Sequence, residues 1–392
     1  MPSNPKPHIV VVGSGLAGYA VLRELRRLSP EAELTLIAHD YGHFYSKPAL
    51  STALGKEKTA SGLITMRAEK MAAQLRLEIR AGRLVEAIDR HGKVLLTTGG
   101  PLPYDALVLA LGGEPIRPPI QGDAADRAVS INHLEDYAAF RDQLQPGARV
   151  AIMGAGLVGS EFSNDLSISG YKPTTVDMQT HPLAQLVPSE VGDLLRDCLT
   201  KEGVVWHLGR TVVAMNRAGA ATTVTLDDGT QIEADNVISA VGLRPRTQLA
   251  KEAGLEVNRG IKVDETGRTS DPYIYAIGDC AEYTIGLAAY VSPIMAVARA
   301  IAPSILGTPT KISFPTLSVQ VKTTTCPIVL LPAPRDTVGE WVKVDGNADG
   351  IKYLFHDTCG ATRGYVLTGP FCEERMDLDR SLSTLNEEKV TA

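Results

Sequence analysis

Five cysteines are the entire thiol content of this 392-residue chain, and no two are spaced C-x-x-C. Cys198, Cys280, Cys326, Cys359 and Cys372 are odd in number and widely spread, which excludes a disulfide framework, a zinc ribbon and a thioredoxin-type motif. Long apolar runs are missing too. The best stretch, Leu287 to Leu306, is interrupted by Pro293, Arg299 and Pro303, so neither a spanning helix nor a membrane partner is expected. The run Ile9-Val10-Val11-Val12 is broken by glycine too early to serve as a signal-peptide core. Positive charge is also in deficit. With 39 Lys and Arg against 45 Asp and Glu the net charge is −6, a field that does not favour nucleic acid. A cytoplasmic monomer without bound metal is the expectation.

What is present is ordinary for a globular protein: 44% hydrophobic and 21% charged residues, which rules out wholesale disorder. The length calls for two or three domains. The 36 glycines point to tight turns and to loops that let a phosphate approach the backbone.

The chain repeats itself. His8-Ile-Val-Val-Val-Gly13-Ser14-Gly15-Leu16-Ala17-Gly18 returns 141 residues later as Arg149-Val-Ala-Ile-Met-Gly154-Ala-Gly156-Leu-Val-Gly159. Each copy reads as a short buried strand, then G-x-G-x-x-G, then a helix. That context makes the motif a dinucleotide cradle. Its first glycine makes the turn, its second admits a pyrophosphate and its third lets helix pack on strand, while the helix N-terminus supplies N–H donors. Each copy continues with a second strand, Glu33–Ala38 and Thr174–Val176. Each then closes through a hairpin into a strand ending in glycine, Tyr104–Gly112 and Asp235–Gly242. In both, an aspartate (Asp105, Asp235) stands seven residues before that glycine. Two cradles imply two dinucleotides, with hydride transfer between them the simplest chemistry.

The copies differ where a ribose would bind. Asp177 directly follows the second strand of the later copy, where a carboxylate accepts both ribose hydroxyls of NADH and repels a 2′-phosphate. A solvated turn aspartate is the alternative. The earlier copy ends Ile37-Ala38-His39-Asp40, so its acid is displaced or absent. Pro48 holds Lys47 extended at the start of a helix that Gly55 can end, which sets a cation at a helix start; a surface lysine without a role is the alternative. Cys280 reads as a buried inert thiol rather than a redox group. His39 and His43, in a loop, are no metal pair.

Thr269-Ser-Asp-Pro-Tyr-Ile-Tyr-Ala-Ile-Gly278-Asp279 resembles the third fingerprint of flavoproteins that bind two dinucleotides, in which the aspartate binds the ribityl chain of FAD. Phe44-Tyr45-Ser46-Lys47-Pro48-Ala49-Leu50-Ser51-Thr52 and Val241-Gly242-Leu243-Arg244-Pro245-Arg246 extend the likeness to nearly the whole chain. The chain resembles the NADH-dependent rubredoxin reductases, grouped with ferredoxin and flavorubredoxin reductases. The resemblance implies FAD held by Gly13, Ser14, Gly15, Leu16, Ala17, Gly18, Ala38, His39, Lys47, Val85, Gly112, Glu161, Asp279, Val291 and Lys322. It implies NADH at Gly154, Gly156, Gly159, Asp177 and Gly242, and a catalytic role for Lys47 and Glu161. The implied activity is passage of electrons from NADH through FAD to rubredoxin, an iron protein acting in trans, one at a time.

After Ile312 the pattern changes to short strands at 319–323, 328–331, 340–344, 351–355 and 363–367, then a polar tail from Glu373 read as a solvated helix with a frayed end. The fold class is therefore α/β: two doubly wound, Rossmann-like dinucleotide-binding domains with inserted β-meanders, plus a small C-terminal α+β interface domain. The expected bounds are 1–120 with 245–311 for FAD, 121–244 for NADH and 312–392 for the interface. Because net charge is negative, a basic patch of Lys47, Arg117, Arg244 and Arg246 is expected to meet an acidic acceptor. Two other readings stay open: a ferredoxin reductase of an oxygenase system, and a redox-sensing flavin-binding interaction protein.

Overall fold

Parallel β-sheet forms where the sequence is most continuously apolar. In the computed structural model, which describes residues 6–388 apart from 289, 317, 335, 336 and 348, Ile9, Val10 and Val11 are wholly buried. A strand covered on both faces needs no polar alternation, which is why His8–Val12 and Arg149–Met153 read as unbroken hydrophobic runs. The call of a frayed end beyond residue 388 lies outside the described residues.

By packing, the chain divides into two units. The first comprises Met1–Lys47, Ile64–Glu114 and Leu243–Pro315. Its sheet runs Ile274–Ala276, Ala106–Leu109, His8–Val12, Glu33–Ile37, Glu78–Arg80, all parallel. The helix Leu16–Leu28 buries Tyr19, Val21, Leu22 and Leu25 on one face and carries Arg26 and Arg27 in its last turn, where cations favour the carbonyl end. A meander of Val85–Asp89, Val94–Thr97 and Gly100–Pro103 is inserted before the fourth sheet strand in chain order.

The second unit comprises Pro48–Leu63, Pro115–Gly242 and Thr316–Ala392. Its parallel sheet has the same plan: Ala128–Val129, Asn236–Ser239, Arg149–Met153, Lys172–Asp177, Val205–Leu208. Its meander is Val212–Ala218, Ala221–Leu226 and Gln231–Ala234. The repeated aspartates have a structural reason. Asp105 accepts the main-chain N–H of His8 and Asp235 that of Arg149, each at 2.8 Å, so each pins the start of the central strand. Residues after Thr316 add an antiparallel sheet in the order Val319–Val321, Ile328–Leu331, Thr362–Thr368, Gly350–Asp357, Gly339–Asn347, followed by the helix Arg375–Glu388. Val321, Ile328, Leu330 and Val366 of this sheet share one core with Val191, Leu195 and Leu199 of the helix Ser189–Lys201.

The segment after Lys47 departs from the expected helix. It is a short 3₁₀ turn, Lys47–Thr52. The N–H groups of Leu54 and Gly55, which would continue a helix, are taken by the two carboxylate oxygens of Asp165 at 2.9 Å each.

Candidate functional site

The two glycine loops are superposable in their bonding. Gly13 N–H donates to Ile37 O at 2.9 Å and Gly154 N–H to Val176 O at 2.8 Å. Gly13 and Gly154 have φ of +116° and +102°, and a Cβ on either would stand 2.2 Å and 2.6 Å from the carbonyl oxygens of Ala110 and Ala240. A Cβ on Gly18 or Gly159 would stand 2.0 Å and 1.8 Å from the oxygen of the loop's first glycine. These four glycines are required by the protein itself.

The middle glycines are not. Gly15 and Gly156 have ordinary φ of −71° and −73°, and a Cβ there would meet nothing within 4 Å. Neither helix has a side-chain hydrogen bond at its cap, so the first N–H groups of Leu16–Leu28 and Leu157–Ile168 face outward from a glycine that has no internal reason to be one. The open main chain fits the approach of a phosphate.

In the first unit, Gly278 (φ +79°) lies against Ala17, a Cβ placed on it standing 3.0 Å from that side chain, so Asp279 is set beside the glycine loop. Among the described residues no hydrogen-bond donor engages its carboxylate. Burial pushes the Asp279 carboxyl up, and the Lys47 cation partly offsets that. A half-buried acceptor without a protein donor suits a polyol hydroxyl. The structure therefore fits the ribityl and pyrophosphate parts of FAD.

Other residues assigned to that site differ in placement. Ser14 is buried, Ala38 directly follows the strand Glu33–Ile37, and His39 is exposed. Val85 begins the meander, and Gly112 accepts the main-chain N–H of Arg246 at 3.0 Å. Val291 is exposed at the cap of the helix Ser292–Ile305. The displaced acid is Asp40: Ser14 Oγ donates to both of its oxygens, at 2.7 and 3.0 Å, and Gly42 N–H donates to one. Cys280 is fully buried, donates to Leu109 O and Ile277 O, and is pushed up to about 11 by burial, so it is a structural thiol.

In the second unit, Asp177 closes its strand and accepts the N–H of Ala155 at 2.5 Å and of Gln179 at 2.7 Å. It thus lies directly against the glycine loop. Gly242, φ +111°, opens beside Ile116. Glu161, only 4% exposed, lies four residues past the N-terminal end of the helix. Lys322 Nζ donates to both its oxygens at 2.9 and 3.1 Å, and Lys322 N–H donates at 3.2 Å. Lys322 also reaches Pro48 O at 3.0 Å. Ser51 Oγ completes the set by donating to Glu161. Ser51 has no local signal, because its partner is 110 residues away. Of the expected basic patch, Arg244 is spoken for by Glu114 at 2.6 Å and the Lys47 charge acts on Asp279, so the patch is weaker than its sequence count.

Residues 7–301 match the pyridine nucleotide-disulphide oxidoreductase family, three quarters of the chain. The chain belongs to that family. Residues 311–382 match the rubredoxin binding C-terminal domain. As a member of this oxidoreductase family the chain works with FAD and NADH. It is 41% identical to the rubredoxin-NAD(+) reductase of Alcanivorax borkumensis, over 96% of this chain and 99% of that one. It is 34% identical to the nitric oxide reductase FlRd-NAD(+) reductase of Aliivibrio fischeri, over 96% and 99%. Among solved structures, the covalent putidaredoxin reductase–putidaredoxin complex is similar at a TM-score of 0.88 and 25% identity, covering 97% of this chain and 94% of that one. The match over residues 7–301 spans both glycine loops, and that over residues 311–382 spans the C-terminal sheet.

Proposed function

We propose that this family member transfers electrons from NADH through FAD to rubredoxin, one at a time. The observation that carries the proposal is a duplicated dinucleotide cradle followed in the same chain by residues 311–382, the match to a rubredoxin binding domain. The chemistry these cofactors supply when bound is hydride donation by the nicotinamide and conversion of an electron pair into single electrons by the isoalloxazine. The protein's part is to hold, orient and tune. Gly13, Gly15 and Gly18 with the helix behind them hold the FAD pyrophosphate, Asp279 accepts from the ribityl chain, and Ser14 with Asp40 closes the loop. Ala38, His39, Val85, Gly112 and Val291 we assign to the same cofactor. Gly154, Gly156 and Gly159 hold the NADH pyrophosphate, Asp177 its adenine-side ribose, and Gly242 gives the loop room.

Lys47 is assigned as the cation beside the flavin. Glu161 and Lys322 are assigned to that cofactor on family resemblance; their ion pair, with Ser51 donating as well, fixes a carboxylate that would otherwise be buried without a counter-charge. We assign residues 1–120 with 245–311 to FAD binding, 121–244 to NADH binding and 312–392 to the acceptor interface. We take the protein to be a cytoplasmic monomer; its five cysteines are free, and among the described residues no helix is long and apolar enough to cross a membrane.

The test is stopped-flow reduction of rubredoxin and of a [2Fe–2S] ferredoxin by one FAD-loaded preparation with NADH. Rubredoxin reduced at least tenfold faster is the expected result; ferredoxin reduced faster would transfer the protein to the oxygenase-system reading. A colourless protein that takes up no FAD would overturn both.

A further inference from the structure

The stretch that follows Asp177, Met178-Gln179-Thr180-His181, carries no lysine or arginine. The neighbouring strand supplies one. Lys172–Asp177 pairs in parallel with Val205–Leu208, and Asp177 stands opposite Leu208. Beyond that register the chain turns at Gly209, φ +67°, and is stitched back onto the end of the first strand. Gly209 N–H donates to Gln179 O at 2.8 Å and Arg210 N–H to Asp177 O at 2.9 Å. Arg210 thus stands at the carboxyl rim of the sheet, where open parallel sheets take their ligands. A main-chain hydrogen bond joins it directly to the residue assigned to the adenine-side ribose.

The Arg210 guanidinium is engaged within the protein. Its Nε forms a 2.7 Å ion pair with one oxygen of Asp228, and its Nη1 donates to Gly209 O at 3.2 Å. Asp228 lies in the meander turn between Ala221–Leu226 and Gln231–Ala234, and its other oxygen accepts Thr230 N–H at 3.0 Å. That turn is tied to the residue after Arg210: Thr211 N–H donates to the Asp227 carboxylate at 3.3 Å, and Asp227 N–H donates to Thr211 O at 3.0 Å. Asp228 is therefore presented to Arg210 by a fixed turn. The two side chains are 44% and 35% exposed, and a pair so placed shifts an equilibrium by no more than about fivefold. Arg210 is held, yet it can be released.

We propose that Arg210 and Asp228 determine nucleotide specificity together with Asp177: Arg210 is a ready ligand for a 2′-phosphate, and Asp228 keeps it occupied. Rejection of NADPH is then the work of two carboxylates. The inference rests on the assignment of NADH to the second cradle. A planar guanidinium binds phosphate through charge-assisted hydrogen bonds, so a freed Arg210 beside that ribose would favour the phosphorylated nucleotide. Asp177 repels the phosphate directly. Asp228 acts through Arg210, by neutralising a cation that the sheet rim places next to Asp177. NADH carries no charge at the 2′ position, so this second carboxylate adds discrimination without weakening the favoured nucleotide.

Calorimetric titration of the FAD-loaded protein with 2′,5′-ADP and with 5′-AMP tests this, because the two probes differ only in the 2′-phosphate. Asp177→Ala should raise the affinity for 2′,5′-ADP at least about tenfold. Asp228→Asn, which keeps an oxygen for Thr230, should raise it by a further factor of about three or more in that background, with 5′-AMP changing less than about twofold. Arg210→Ala, added to both, should remove the further gain. The NADPH-to-NADH ratio of kcat/KM should follow the same order. No response to Asp177→Ala would overturn the cradle assignment and this inference with it. A response to Asp177→Ala but none to Asp228→Asn, or a gain from Asp228→Asn that survives Arg210→Ala, would overturn this inference alone.

Discussion

The two dinucleotide cradles share their main chain and differ in their carboxylates. Strand register places Val12 opposite Ile37 and Met153 opposite Val176, so Ala38 occupies the position that Asp177 holds in the second copy. In one copy a carboxylate at that position accepts directly from the loop amide of Ala155; in the other the carboxylate is two residues farther on, and the Ser14 hydroxyl, which replaces Ala155, spans the gap to Asp40. The helices behind the loops diverge as well. The second carries Glu161 where the first has Ala20, and Asp165 where the first has Glu24. Glu24 pairs with two exposed arginines, Arg27 of its own helix at 2.8 Å and Arg299 at 3.8 Å, whereas the more deeply buried Glu161 and Asp165 bind Ser51, Lys322, Leu54 and Gly55. On the proposed assignment, phosphate holding is a backbone property kept by both copies. Which ribose is held, and what is gathered around the helix, are side-chain properties free to separate.

The sharpest break in the comparison is at the middle glycines. Gly15→Val should abolish FAD uptake, and Gly156→Val should leave the protein yellow while kcat/KM for NADH falls at least about a hundredfold. Absorbance at purification and steady-state kinetics read both. A Cβ at either position meets nothing within 4 Å, so fold stability should move by less than about 0.5 kcal/mol. Gly18→Ala, which drives a Cβ into the Gly13 carbonyl, should instead destabilise the first unit itself.

Asp177→Ala should collapse a NADH-over-NADPH preference of roughly a hundredfold to below about tenfold, chiefly by weakening NADH. Asp40→Ala should leave that ratio unchanged and loosen FAD, seen by ultrafiltration of released flavin. A ratio that follows Asp40 instead would reverse the assignment of the copies.

Lys322→Ala, assayed by denaturant unfolding, should cost about 1–3 kcal/mol, because Glu161 keeps its burial and loses its cation. Ser51→Ala should cost about 1 kcal/mol.

Asp165 should show itself through pH. Burial pushes the Asp165 carboxyl up to about 6, against an opposing pull from the Gly55 and Leu54 amides and Lys56. A raised acid binds its proton more tightly in the folded chain. Its penalty is therefore complete above pH about 6 and is relieved as pH falls toward about 4. The stability difference between wild type and Asp165→Asn should shift by about 2 kcal/mol in favour of wild type from pH 7 to pH 4.

Both cradles, both meanders, the Asp105 and Asp235 repeat, the third fingerprint and the C-terminal strands are local patterns, and each was legible in the sequence. The strand-end Asp177 was legible because the direct contact leaves a fixed offset from the glycines. Asp40 was not assignable, because its link to the loop runs through a serine hydroxyl that carries no periodic signal. The bonds of Ser51 and Asp165 depend on chain segments more than a hundred residues apart brought together by packing. The stretch after Lys47 misled because a single carboxylate competes for the amides that a helix would have used.

That same stretch decides how this protein can be cut. Pro48–Leu63 packs with the second unit although the chain around it belongs to the first. An excised fragment spanning 115–242 alone would lose the Ser51, Leu54 and Gly55 donors of Glu161 and Asp165. It would also bare the apolar face of Val191, Leu195 and Leu199 that Val321, Ile328 and Val366 cover. The second unit is discontinuous in sequence, so neither of its neighbours can be trimmed away, and a soluble minimal version must be built by splicing 48–63 and the C-terminal sheet back onto it.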